Sequence, residues 1–164
     1  MIERAVLDTV QEAAQILLER LQIQGVVKVA VSEEESVRVE VEMEEPQLLI
    51  GEQGQTLLEV QHVLRLIARK KLGEVPLIVL DINEYRKSRE AYLKELANTT
   101  ADEVALLKTE KELPAMSSQD RRIVHMVISE RRDVVSESVG EEPERKIVIK
   151  VNQEKEEKGS SSLG

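Results

Sequence analysis

The stretch Leu48-Leu49-Ile50-Gly51-Glu52-Gln53-Gly54-Gln55-Thr56-Leu57 decides how the first half of the chain is read. An apolar run meets two glycines separated by two residues. From Gln55 to Leu72, apolar Leu57, Val60, Val63-Leu64, Ile67 and Ala68 then recur at helical spacing. The glycines therefore frame a tight turn at the start of a helix. Glycine lets such a turn bring its backbone close to a sugar-phosphate chain, and the free N–H groups of the helix's first turn point toward phosphates. The same letters also describe an ordinary glycine turn capping a helix, so the reading needs support elsewhere in the chain.

Working outward from the loop, residues 2–22 place Ala5, Val6, Val10, Ala13, Ile16-Leu17 and Leu21 at helical spacing, with Gly25 expected as the stop. Val27, Val29 and Val31, then Val37, Val39 and Val41, alternate with other residues around Glu33-Glu34-Glu35-Ser36 and predict a hairpin. A short helix is expected at 47–50, and Pro76 to Ile82 is a dense β run. The resulting order is α-β-β-α-α-β. A long helix is expected over 84–108, with Tyr85, Tyr92, Leu93, Leu96, Ala97, Val104 and Leu107 packing one side. A short strand over 111–115 and a hairpin of 133–138 with 146–151 around Gly140-Glu141-Glu142-Pro143 complete an α/β layer. From Asn152 onward no apolar period remains, which predicts a disordered tail.

Ser117-Ser118-Gln119-Asp120 reads as a capping box that starts a helix with Ser117 at the N-cap. Arg121 and His125 follow, four residues apart and so on one face. Apolar Ile123, Val124, Val127 and Ile128 take the other side, which leaves Arg121 and His125 to face solvent or a ligand. Such a pair suits phosphate or a stacked base.

Composition sets independent limits. The 164 residues suit two small cores, and the absence of cysteine removes disulfides, thiol chemistry and cysteine zinc sites. No apolar stretch reaches the length of a membrane span or a secretory core, which predicts a cytoplasmic protein without membrane insertion. With no Phe or Trp and only Tyr85 and Tyr92, a fold that reads bases on aromatic platforms is disfavoured. The net charge of −9 is unusual for a nucleic-acid binder, but it is uneven: residues 1–83 carry −7 and residues 84–151 only −1. The second half, with Arg86-Lys87-x-Arg89, Arg121-Arg122, Arg131-Arg132 and Arg145-Lys146, is the expected electrostatic anchor. The P-loop and HExxH signatures are missing, the acidic runs lie in turns, and His62 reads as structural or simply exposed. No catalytic residue, metal or cofactor is therefore expected, and the chain is not read as an enzyme.

Four landmarks in order, Leu49 to Leu57, Asp81-Ile82-Asn83-Glu84-Tyr85-Arg86, Arg121-x-x-x-His125 and Ser136 to Arg145, resemble the bacterial SpoIIIJ-associated Jag proteins, also called KhpB or EloR. The resemblance covers roughly residues 2–151. It implies an α/β (α+β) chain: a type II KH domain over 1–83 with its GxxG loop at 51–54, an Arg-x-x-x-His (R-three-H) domain over 84–151, and the tail over 152–164. It further implies RNA contacts at Gly51, Glu52, Gln53, Gly54, Gln55, Thr56, Arg121, Arg122, His125, Arg145 and Lys146. The expected function is that of a post-transcriptional regulator that binds single-stranded RNA, or single-stranded DNA, and is linked to cell elongation and envelope synthesis. Its expected partner is a small single-KH protein or a second copy of itself. The alternative is a dimerisation or interaction module with little RNA affinity of its own. Two departures from the family pattern stand out. The chain starts directly in the KH helix, so the N-terminal Jag domain is expected to be lacking, and Glu52-Gln53 stands where family loops hold basic residues.

Overall fold

The computed structural model describes residues 2–32 and 35–153, which fall into two compact α/β units divided between Arg86 and Lys87. In the first unit, α1 (Arg4–Arg20) precedes the hairpin of β1 (Val26–Val31) and β2 (Val37–Glu42). Next come α2 (Gln47–Ile50), a 3-10 turn over Glu52–Gly54, α3 (Gln55–Leu72) and β3 (Ile78–Ile82). The sheet order is β1-β2-β3, with β1 antiparallel and β3 parallel to β2. A parallel neighbour requires a crossover, which α2, the turn and α3 supply. Period-2 alternation puts Val37, Val39 and Val41 on one face with Ile78, Leu80 and Ile82, while Arg38, Glu40 and Glu42 stay exposed on the other. The buried face packs against Val10, Ala13, Ala14 and Leu18 of α1 and Leu57, Leu64 and Ala68 of α3.

Gly25 does not stop α1. The helix ends at Leu21, where Gln22 turns left-handed (φ 57°) and the Ile23 N–H reaches back to the Leu18 carbonyl at 2.9 Å. Gly25 instead lies against β2, where an added Cβ would come within 3.1 Å of Val41 and 3.3 Å of the Glu42 carbonyl. In the hairpin link, Glu33 and Glu34 lie outside the described residues, and Ser32 and Ser36 close it with hydroxyls 2.7 Å apart.

The unit boundary falls inside the first turn of α4 (Tyr85–Leu107), three residues beyond Asn83. Asn83 exchanges two side-chain hydrogen bonds with the Met43 backbone, and buried Asp81 accepts the Ile82 and Arg86 N–H groups. Arg86 donates to the Leu80 carbonyl and to Gln61, so it belongs to the first unit.

The second unit continues along α4 into β4 (Lys111–Glu112), α5 (Ser118–Ser129), β5 (Val134–Val139) and β6 (Lys146–Val151). Its antiparallel sheet has the order β4-β6-β5. Leu93, Ala97, Ala101 and Val104 of α4 share a core with Val124, Ile128, Val134, Ile147 and Ile149. Tyr92 and Leu107, expected on that side, are instead 51% and 59% exposed. The stripe through residues 93, 97, 101 and 104 rotates Tyr92 out, and Leu107 lies at the helix end. The strand expected over 111–115 is only two residues long, because Pro114 has no N–H with which to continue the ladder. Asn152, expected to begin the disordered tail, is held to the fold by its N–H on the Asp133 carbonyl (3.0 Å) and its side chain on the Arg132 carbonyl (3.2 Å). Residues 154–164 of that tail lie outside the described residues.

Candidate nucleic-acid interface

In the first unit, Gly51 caps α2 with φ 69° and Gly54 opens α3 with φ 83°, values that disfavour an L side chain. Both positions are also crowded. A Cβ at Gly51 would lie 2.1 Å from Thr56 Oγ1, and one at Gly54 would lie 2.7 Å from the Tyr85 ring. Between them Gln53 is left-handed as well (φ 52°). The turn presents exposed Glu52 and Gln53 side chains, while Gln55 bonds Glu59 at 3.0 Å. The loop is thus a tight glycine turn at a helix start, and its one charged side chain is an anion.

In the second unit, Ser117 caps α5 by accepting the Asp120 N–H at 3.2 Å. The other half of a capping box would return the Asp120 carboxylate to Ser117. Here its Oδ2 instead receives Arg89 Nη2 at 2.9 Å and Nε at 3.2 Å. Ser118, Arg121, Arg122, His125, Met126 and Ser129 of α5 line, with Ser138 and Arg145, a shallow depression of about 450 Å³.

The Arg-x-x-x-His pair does not face solvent as expected. Arg121 is only 6% exposed; its Nη1 donates to the Met116 carbonyl at 2.7 Å and its Nη2 to Glu142 Oε1 at 2.6 Å. The half-buried His125 ring lies between two strand hydroxyls, with Nδ1 2.8 Å from Ser136 Oγ and Nε2 2.8 Å from Ser138 Oγ. Whichever nitrogen carries the proton donates to its serine, and the other accepts. Partial burial, and then the Arg121 and Arg145 cations, hold the ring's pKa below its ordinary 6.5, so it is neutral at pH 7. The two motif residues therefore pin α5 to the sheet and its turn. The solvent side of the pocket is left to Arg122, which is exposed, and to Arg145, whose Nε is buried without a partner among the described residues.

Lys146 is not part of this group. Residues opposite each other in an antiparallel ladder share a face, and Ser136 and Ser138 oppose Ile149 and Ile147 on the helix side, whereas Lys146 opposes Val139 on the other. There it pairs with Glu112. Much of the expected basic anchor is similarly engaged: Arg86 by Leu80 and Gln61, Arg89 by Asp120, and Arg131 by Asp102 and Asp133. The sequence reading does not single out Ser118, Ser129 or Met126 as site residues, nor Ser136 and Ser138. The stripe 118, 121/122, 125/126, 129 and the period-2 pair 136, 138 are the available signals.

Residues 91–151, which hold every residue of this pocket, match the R-three-H domain. The RNA-binding protein KhpB of Clostridium symbiosum is 32% identical over 121 residues, or 74% of this chain and 54% of that protein. That of Bacillus subtilis (strain 168) is 32% identical over 116 residues, 70% of this chain and 56% of the relative. That of Lactiplantibacillus plantarum is 32% identical over 104 residues, 63% of this chain and 32% of the relative. The chain belongs to the KhpB/Jag-like family. It spans about half the length, or less, of these curated relatives. Within this KhpB/Jag-like chain, the R-three-H match takes in α5, β5 and β6, so the depression on α5 is a surface of the R-three-H domain. Among the described residues no helix is long and apolar enough to cross a membrane.

Proposed function

We propose that the protein binds single-stranded RNA at the α5 pocket of its R-three-H unit, without catalysing a reaction. The observation that carries this reading is the convergence of Arg122 and Arg145 at one depression, with the buried Arg145 Nε still lacking an acceptor. A phosphate seated in the depression meets the guanidinium groups of both arginines. Arg121 and His125 act as the frame that sets α5 against β5. Support comes also from the relatives, which are named RNA-binding proteins. Single-stranded DNA presents the same phosphates and is a second ligand of the same kind. The test is a titration of a labelled single-stranded oligouridylate. Arg122→Ala should weaken binding by about 1 kcal/mol or more, the worth of a hydrogen bond to a charged group. An unchanged affinity with an intact fold would remove the pocket from the interface.

The first unit reads as a type II KH domain over residues 1–83, from its element order and sheet pairing together with the glycine turn at 51–54. Its backbone, with Gln53, Gln55 and Thr56, is the second RNA contact in this reading. The role is that of a cytoplasmic post-transcriptional regulator tied to cell elongation and envelope synthesis, partnered by a small single-KH protein or by a second copy. One observation favours the narrower alternative for this half, a dimerisation or interaction module: Glu52 points a carboxylate out of the loop, in a segment of net charge −7.

A further inference from the structure

We propose that Glu142 is an internal counter-anion on Arg121, which an RNA phosphate must displace to use the full charge of the α5 pocket. The inference rests on the reading of that pocket as the RNA site. The two partners of the ion pair are unequally placed: the Arg121 side chain is 7% exposed and the Glu142 side chain 58%. The guanidinium is also held from a second direction by the Met116 carbonyl, so it stays in place when the carboxylate leaves. Glu142 lies between β5 and β6, in a segment entered through left-handed Gly140 (φ 89°), and makes its contact from outside the pocket wall. A mostly buried guanidinium stripped of its anion is strongly unfavourable. The protein therefore supplies its own anion when no RNA is present, and the exchange replaces one anion by another. Arg122 and Arg145 make the first encounter, and Arg121 becomes a phosphate ligand only after the carboxylate has swung away. Glu142 thus sets the affinity of the site without touching the RNA.

The test uses the full chain and a labelled twelve-residue oligouridylate, titrated by fluorescence anisotropy over a range of salt. Glu142→Gln keeps the shape and a neutral acceptor for Arg121 while removing the competing charge. Binding should tighten about two- to fivefold, the range that an ion pair with an exposed carboxylate spans. The slope of log affinity against log salt should become more negative by about 0.7, one phosphate contact on a single strand. In the unaltered protein, the guanidinium NMR signals of Arg121 should shift on adding the oligomer, which reads the exchange without any variant. Equal or weaker binding by a folded Glu142→Gln protein, or unmoved Arg121 signals, overturns the exchange. If Arg122→Ala still weakens binding in that case, the pocket reading survives. If Arg122→Ala is also without effect, both fall.

Discussion

At the scale of single residues, His125 shows how a motif residue serves the fold and the site together. Its ring is wedged between two serine hydroxyls and kept neutral; protonation makes both ring nitrogens donors, turns one serine from donor to acceptor, and places a cation beside Arg121 and Arg145. The folded pKa lies below the unfolded value of about 6.5, so the unfolded chain binds the proton more readily. The stability from neutral His125 is present in full above about 6.5 and is lost as pH falls through the lower folded pKa. Thermal melts of the second unit should therefore drop as pH falls below about 6.5, and drop less in His125→Gln. Parallel curves for the two proteins would show that the ring's titration is not linked to folding. RNA affinity should not tighten as pH crosses about 6.5, because burial and the Arg121 and Arg145 cations hold the ring's pKa below that value.

At the scale of elements, α5 depends on its ends and on one outward stripe. The Ser117 hydroxyl satisfies a first-turn N–H that has no helical partner, and Asp120 adds a half-buried pair with Arg89 of α4. Ser117→Ala should destabilise the second unit by about 1 kcal/mol, a fall of about 4–8 °C in its midpoint for a domain of this size. The check is a melt followed by probes in the second unit. A shift under about 1 °C would mean that water caps the helix as well as the hydroxyl does. In the first unit the corresponding junction is made by backbone geometry, with glycines at positive φ packed close to Thr56 and Tyr85.

At the scale of the whole molecule, charge would decide how strongly the two units hold RNA under the proposed reading. Ion pairs occupy much of the chain's basic content, so few phosphates are gripped, and the salt slope should be roughly −1 to −3 on the scale of about −0.7 per contact. Glu52→Lys tests the first unit's share. If RNA crosses the glycine loop, the variant should bind more tightly and its slope should steepen by about 0.7. No change in either quantity assigns RNA to the R-three-H unit alone and leaves the first unit as an interaction surface.

Local sequence alone determined the order of elements and the valine hairpin, through periodicity, and the glycine turn and the Ser117 cap, through residue type, because each depends on residues close in the chain. The short 3.6- and 2-residue repeats already carry which face of α3 or β2 is buried. The roles of Gly25, Arg121 and Lys146 were decided only by tertiary structure. Gly25 is explained by the approach of β2, a strand reached through a hairpin. Arg121 is buried because the Met116 carbonyl and the β5–β6 turn converge on it from separate segments. Lys146 leaves the site because the register with Val139 sets its face. A local pattern names which side chains share a face. Only the folded chain determines what lies opposite that face, and the partner opposite decides whether an arginine meets a carboxylate, a carbonyl or a phosphate.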